Sequence, residues 1–314
     1  MKKFIIITLI CICIALPFLS GFIKDYFSVQ EDSLSSKNTQ IATTWKDKNF
    51  ERLIRIYIGK KDGDILLHEL EDITELRIIS KSSVETNLKK VEISEADQQN
   101  ISLITSMTDI DNFINLEKIE ISSNHIQSID TVNISPNITE LNLSFNNLND
   151  ISGLEKYTSL EKLFLDSNYI KDIKVLKDIK TLKELNLGYT GKKADNIFGC
   201  EPGKVDFSVI KELPLLEKLS IPFSIVENID QLNGLSHLKI LILSQCTLSM
   251  DELKKVKAIQ NLEDIEIYNI SIVGELYTNI DLSIFSDMKN LKKIVTNSDV
   301  YNVETLKNIN LIIH

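Results

Sequence analysis

Four stretches of this chain superpose with a fixed offset of about 22 residues, and that offset constrains the fold more than any other feature. Leu116, Ile119, Ile121, Asn124, Ile126 and Ile129 return as Ile138, Leu141, Leu143, Asn146, Leu148 and Ile151. They return again as Leu160, Leu163, Leu165, Asn168, Ile170 and Ile173, and a fourth copy opens at Leu182, Leu185 and Leu187. A unit this short cannot enclose its own apolar edge. It must stack on its neighbours, so a period of this length specifies a solenoid.

Each unit ends its leucine run in strict alternation, as in Leu163-Phe164-Leu165, which is the pattern of a strand with one face buried. Side by side at about 4.8 Å, such strands build a curved parallel sheet, and about eight of them make an arc of roughly 35–40 Å. The expected fold class is therefore α/β, a right-handed solenoid with its sheet on the concave side. After each strand the backbone turns and leaves buried N–H and C=O groups without sheet partners. An amide both donates and accepts, so Asn124, Asn146 and Asn168 are assigned to a structural ladder. Two further apolar positions per unit, such as Leu148 and Ile151, close the interior on the convex side. Later copies are looser: Ser224, Cys246 and Ile270 stand where the amide is expected, and Leu311 to Ile313 supplies a terminal covering strand.

The rest of the chain divides around this array. Residues 1–23 carry Lys2 and Lys3 ahead of an apolar run from Phe4 to Ile23, long enough to cross a bilayer. Both a cleaved signal peptide and an uncleaved anchor fit it, the anchor placing residues 4–23 in a membrane. Residues 24–44 are polar, without a helical stripe, and form a linker; about 20 flexible residues span on the order of 25 Å. Residues 45–100 hold an N-terminal cap and the first irregular strands. There Phe50, Leu53, Ile54 and Tyr57 fall at helical spacing, Asp47 or Asn49 can cap the start, and Gly59 can end the helix. A second short helix is expected from Asp64, and strands from Glu75 to Ser80 and around Leu88, Val91 and Ile93. Residues 101–314 are the repeats with the terminal strand.

Charge narrows the partners. The net charge is −10, and −12 beyond residue 23, which opposes nucleic acid as a ligand. Cys11 and Cys13 lie in the apolar run, so Cys200 and Cys246 are the only pair in the folded part, and their spacing calls for no bridge. The four histidines do not pair at metal-ligand spacing, and neither a nucleophile elbow nor a phosphate-binding glycine loop occurs. No catalytic residue, metal or cofactor is assigned.

The pattern L-x-x-L-x-L-x-x-N-x-I-x-D-I at Leu160 to Ile173, with the segment from Phe50 to Leu76 ahead of the repeats, resembles bacterial leucine-rich repeat proteins of the internalin type. The resemblance runs from about Trp45 to Leu311. It implies a surface protein that holds a protein or other macromolecule on its concave face, outside the cell.

In this register the concave wall is legible. Its central column is Glu120, Asn142, Phe164, Asn186, Ser220, Ile242, Glu266 and Val295. Phe164 and Ile242 are apolar in a row that is otherwise largely polar, and two readings stand: interface anchors, or ordinary sheet formers. Tyr268 flanks the column, and ligand contact is assigned to Glu120, Asn142, Phe164, Asn186, Ile242, Glu266 and Tyr268. The next column, Lys118, Glu140, Lys162, Glu184 and Lys218, alternates in charge, as a lateral pairing ladder does. Between Leu182 and Leu216 about twelve extra residues make an insertion loop, in which Phe198 is a candidate contact. Against ligand binding stands one alternative, a structural spacer or self-assembling envelope scaffold without a discrete ligand.

Overall fold

A computed structural model describes residues 41–129, 135–189, 202–274, 279–297 and 300–314. The proposed anchor, most of the linker, Phe198 and Cys200 lie outside the described residues.

Helix α1 (Lys48–Ile58) opens the described chain. Asp47 caps it, its carboxylate accepting the N–H of Asn49 and Phe50, and Gly59 ends it in the left-handed region at φ 75°. Its apolar stripe, Phe50, Leu53, Ile54 and Tyr57, is buried, and Phe50 stacks on Phe113 at 6.1 Å. Asp47 also accepts the Thr105 N–H and hydroxyl. Burial pushes its pKa up, but these hydrogen bonds outweigh that and leave it lowered. The segment from Asp64 forms only one 3-10 turn, Leu67–Glu69.

Strands β1 (Glu75–Ile79), β2 (Ser83–Thr86) and β3 (Lys90–Glu92) form an antiparallel meander. Leu88, expected in a strand, sits in the turn between β2 and β3 and is 58% exposed. From β1 onward the sheet is parallel. The repeat strands are β4 (Lys118–Ser122), β5 (Glu140–Asn142), β6 (Lys162–Phe164) and β7 (Glu184–Asn186). After β8 (Gly203–Lys204) come β9 (Lys218–Ser220), β10 (Ser224–Val226), β11 (Ile240–Ile242), β12 (Thr247–Leu248), β13 (Asp264–Glu266) and β14 (Ser271–Ile272). The last are β15 (Ile280–Asp281), β16 (Lys293–Thr296), β17 (Val300–Tyr301) and β18 (Asn310–Ile313). Among the described residues one 12-stranded sheet runs β18-β16-β13-β11-β9-β7-β6-β5-β4-β1-β2-β3. The terminal strand is thus the last member of that sheet.

Every strand leucine faces the interior. Leu141, Leu163, Leu185, Leu219 and Leu241 are fully buried, and each contributes about 1.5–3 kcal/mol of burial. The amide ladder follows in the same coils. Asn168 accepts the Leu148 N–H at 2.9 Å and donates to the carbonyls of Leu143 and Leu165, each at 2.9 Å. Asn146 repeats this one coil earlier with the Ile126 N–H and the carbonyls of Ile121 and Leu143. Asn124 accepts the Ile104 N–H and donates to the Ser122 carbonyl.

Where the amide is lost, backbone takes over. The coils with Ser224, Cys246 and Ile270 at that position form a second parallel sheet in the order β14-β12-β10-β8. There the Ser271 N–H donates directly to the Cys246 carbonyl at 2.8 Å. The later repeats look irregular in sequence because a second backbone ladder has replaced the side-chain one.

Candidate binding face

Register places the central column in one line across the sheet. Glu120 lies opposite Asn142, Asn142 opposite Phe164 and Phe164 opposite Asn186. The line continues through Ser220, Ile242, Glu266 and Val295. It extends further than the repeats suggested, through Arg77 to Glu85 and Lys90 at one end and to Ile312 at the other. Phe164 and Ile242 are half-buried, screened by neighbouring side chains rather than fully open to solvent.

Much of the polar wall is engaged internally. Arg77 binds Glu120 at 2.7 Å, and Ser122 Oγ donates to the same carboxylate at 2.9 Å. Ser244 Oγ donates to Glu266. Tyr268 meets the ring of His314 edge to face at 5.9 Å. Ser144 Oγ and the Asn186 amide both donate to Asp166, whose pKa burial raises despite the hydroxyl.

The alternating column pairs laterally: Lys118 with Glu75 at 2.5 Å, Lys162 with Glu140 at 3.6 Å and Lys218 with Glu184 at 2.6 Å. These exposed pairs hold the wall in register more than they stabilise it, at about 0–1 kcal/mol each. At Ile240 the alternation of lysine and acid is interrupted by an apolar residue, and it resumes with Asp264 paired to Lys293 at 2.6 Å. Ile240, Ile242 and Val295, together with Lys218, Asp264, Glu266 and Lys293, line a depression of about 200 Å³. Ile240 was missed in the sequence because it stands in the column assigned to the charge ladder.

Cys246 is fully buried in the coil interior, its Sγ donating to the Ile221 carbonyl, and burial pushes its pKa up to about 12. Among the described residues no group of three or more His, Cys, Asp or Glu side chains is arranged to hold a metal. No helix among them is long and apolar enough to cross a membrane.

Leucine spokes, an asparagine ladder and a laterally continuous concave sheet define a leucine-rich repeat solenoid. The leucine rich repeat family matches residues 114–170 directly. The fold is internalin-like. Internalin C2 of Listeria monocytogenes is similar at TM-score 0.59 and 21% identity, covering 82% of this chain and 98% of that one. Internalin F of the same organism is similar at TM-score 0.51 and 19% identity, over 86% of this chain and 91% of that one. The functional domain of InlJ from L. monocytogenes, described as including a cysteine ladder, is similar at TM-score 0.52 and 16% identity. That likeness covers 87% of this chain and 62% of the InlJ domain. A search of curated proteins returns no match.

Proposed function

We propose that this chain is a non-catalytic bacterial surface protein that holds a protein or other macromolecule against its concave sheet. The observation carrying this reading is the depression in which Ile240, Ile242 and Val295 stand together among the charged side chains of Lys218, Asp264, Glu266 and Lys293. Apolar side chains on a rigid surface, ringed by polar groups, are the usual anatomy of an interface anchor. Phe164 supplies a second apolar point on the same line. Glu120, Asn142, Asn186, Glu266 and Tyr268 complete the proposed contact set. The internalin-like fold supports an extracytoplasmic location, with residues 1–23 acting as export signal or tether.

The test is photo-cross-linking on intact cells with wild type, F164D and I242D, reading both the captured partner and the N-terminal peptide of this protein. Capture falls in both variants while circular dichroism stays unchanged. Equal capture by both folded variants removes the concave face from consideration and favours the spacer alternative, and recovery of cytosolic partners alone overturns the location.

A further inference from the structure

A second surface stands apart from the concave column. Within three residues of the end of each repeat strand the backbone turns through one residue in the left-handed region: Ser123, Phe145, Ser167, Tyr189, Phe223, Gln245 and Asn269 all have φ between 52° and 59°. A bulky side chain is disfavoured in that conformation, because its Cβ crowds the following carbonyl. Ser123 and Ser167, in the coils on either side of Phe145, make the same turn without that bulk. Tyr189 and Phe223 compensate by stacking on one another at 4.8 Å. Phe145 has no such compensation in burial, since 58% of it is exposed. The turn does not need its ring and the core does not receive it.

Phe145 forms part of the wall of a groove of about 420 Å³ that also includes Ser123, His125, Asn147, Ser167 and Tyr169. No Asp, Glu, Lys or Arg contributes to the lining, in a chain that is 25% charged. The groove thus differs in chemistry from the concave wall, with its Lys–Glu pairs. It combines one flat aromatic face with hydroxyl, amide, imidazole and phenol groups that donate and accept. A neutral sugar has the complementary composition: a C–H face that lies on an aromatic ring and a rim of hydroxyls that both donate and accept. The volume falls within the range of small-molecule sites, about 300–1,000 Å³.

We propose that this corner groove binds a neutral oligosaccharide, with its sugar ring on Phe145 and its hydroxyls on His125, Asn147 and Tyr169. The strained aromatic is retained for that contact. None of the residues of the concave column lines this groove.

Saturation-transfer NMR on the full chain tests this with three probes, maltotriose, cellotriose and triacetylchitotriose, and a neutral Gly-Ser-Asn peptide as comparison. At least one trisaccharide receives saturation, strongest at its ring C–H protons. F145S, which installs the residue of the neighbouring coils, weakens that binding at least tenfold with an unchanged or raised Tm, while F164D binds as wild type does. H125A provides an independent reading and weakens it severalfold. Transfer to none of the trisaccharides, transfer to the peptide alone, or equal binding by folded F145S and H125A overturns the proposal. Loss of macromolecular capture in F164D with sugar binding intact separates failure of either site from failure of the other.

Discussion

Replacing Asn168 by Ala tests the account of how the coils are held together. The side chain is fully buried and makes three strong hydrogen bonds, one accepted and two donated. After truncation the Leu148 N–H and the Leu165 carbonyl lose this partner, while the Leu143 carbonyl keeps the Asn146 amide at 3.0 Å. Two orphaned backbone groups at about 1–3 kcal/mol each, partly relieved by relaxation, give a loss of about 3–4 kcal/mol. Asn124 makes two such bonds rather than three, so N124A costs less, about 2 kcal/mol. Equilibrium urea unfolding followed by circular dichroism measures both. Amide hydrogen exchange at Leu148 adds a local reading, because its N–H loses protection in N168A before the global transition. A cost below about 1 kcal/mol for N168A, or a larger cost for N124A, contradicts the idea that the side chains satisfy the turn.

Gly153 approaches the preceding coil so closely that an added Cβ would sit 1.9 Å from the Ile129 carbonyl oxygen, so G153A loses about 3 kcal/mol by thermal or urea unfolding. A loss below about 0.5 kcal/mol contradicts that packing. Cys246, buried and with its thiol pushed up to about 12, resists iodoacetamide in the native protein at pH 8 and is alkylated at the rate of global unfolding; rapid native labelling contradicts its placement. Asp166 has a folded pKa above its ordinary 3.8, so the folded state holds the proton more tightly and pays for the charge at neutral pH. That cost is fully present above the folded pKa and disappears as pH falls towards 3.8. The stability advantage of D166N over wild type, read as Tm from pH 7 to 3.5, therefore shrinks on acidification, and an advantage that grows on acidification contradicts the assignment.

The sheet was legible because burial imposes a strict alternation on short strands. Leu141, Leu163 and Leu185 define the inner face, and the line Glu120 to Val295 follows from register alone. Helix α1 was legible for a similar reason, its stripe and both caps being local features. The partners of the wall residues were not. Glu120 is held by Arg77, which comes from the meander ahead of the repeats, and no periodicity links the two. Phe145 escaped notice because the left-handed corner accepts Ser, Phe, Tyr, Gln and Asn in turn, so its common feature is a backbone angle and not a residue type. The second sheet was hidden because backbone hydrogen bonding leaves little mark on side-chain choice.

Lateral order across the concave wall is most directly tested by disulfide trapping in a background free of native cysteines. Adjacent parallel strands lie about 4.8 Å apart, within the Cα separation of about 4.4–6.8 Å that a disulfide spans, whereas next-nearest strands are about 9.6 Å apart. N142C/F164C and F164C/N186C therefore cross-link within the monomer under mild oxidation, and N142C/N186C does not. Efficient bridging of the N142C/N186C pair, or none in the two adjacent pairs, would contradict the stacked, in-register coils on which both proposed sites rest.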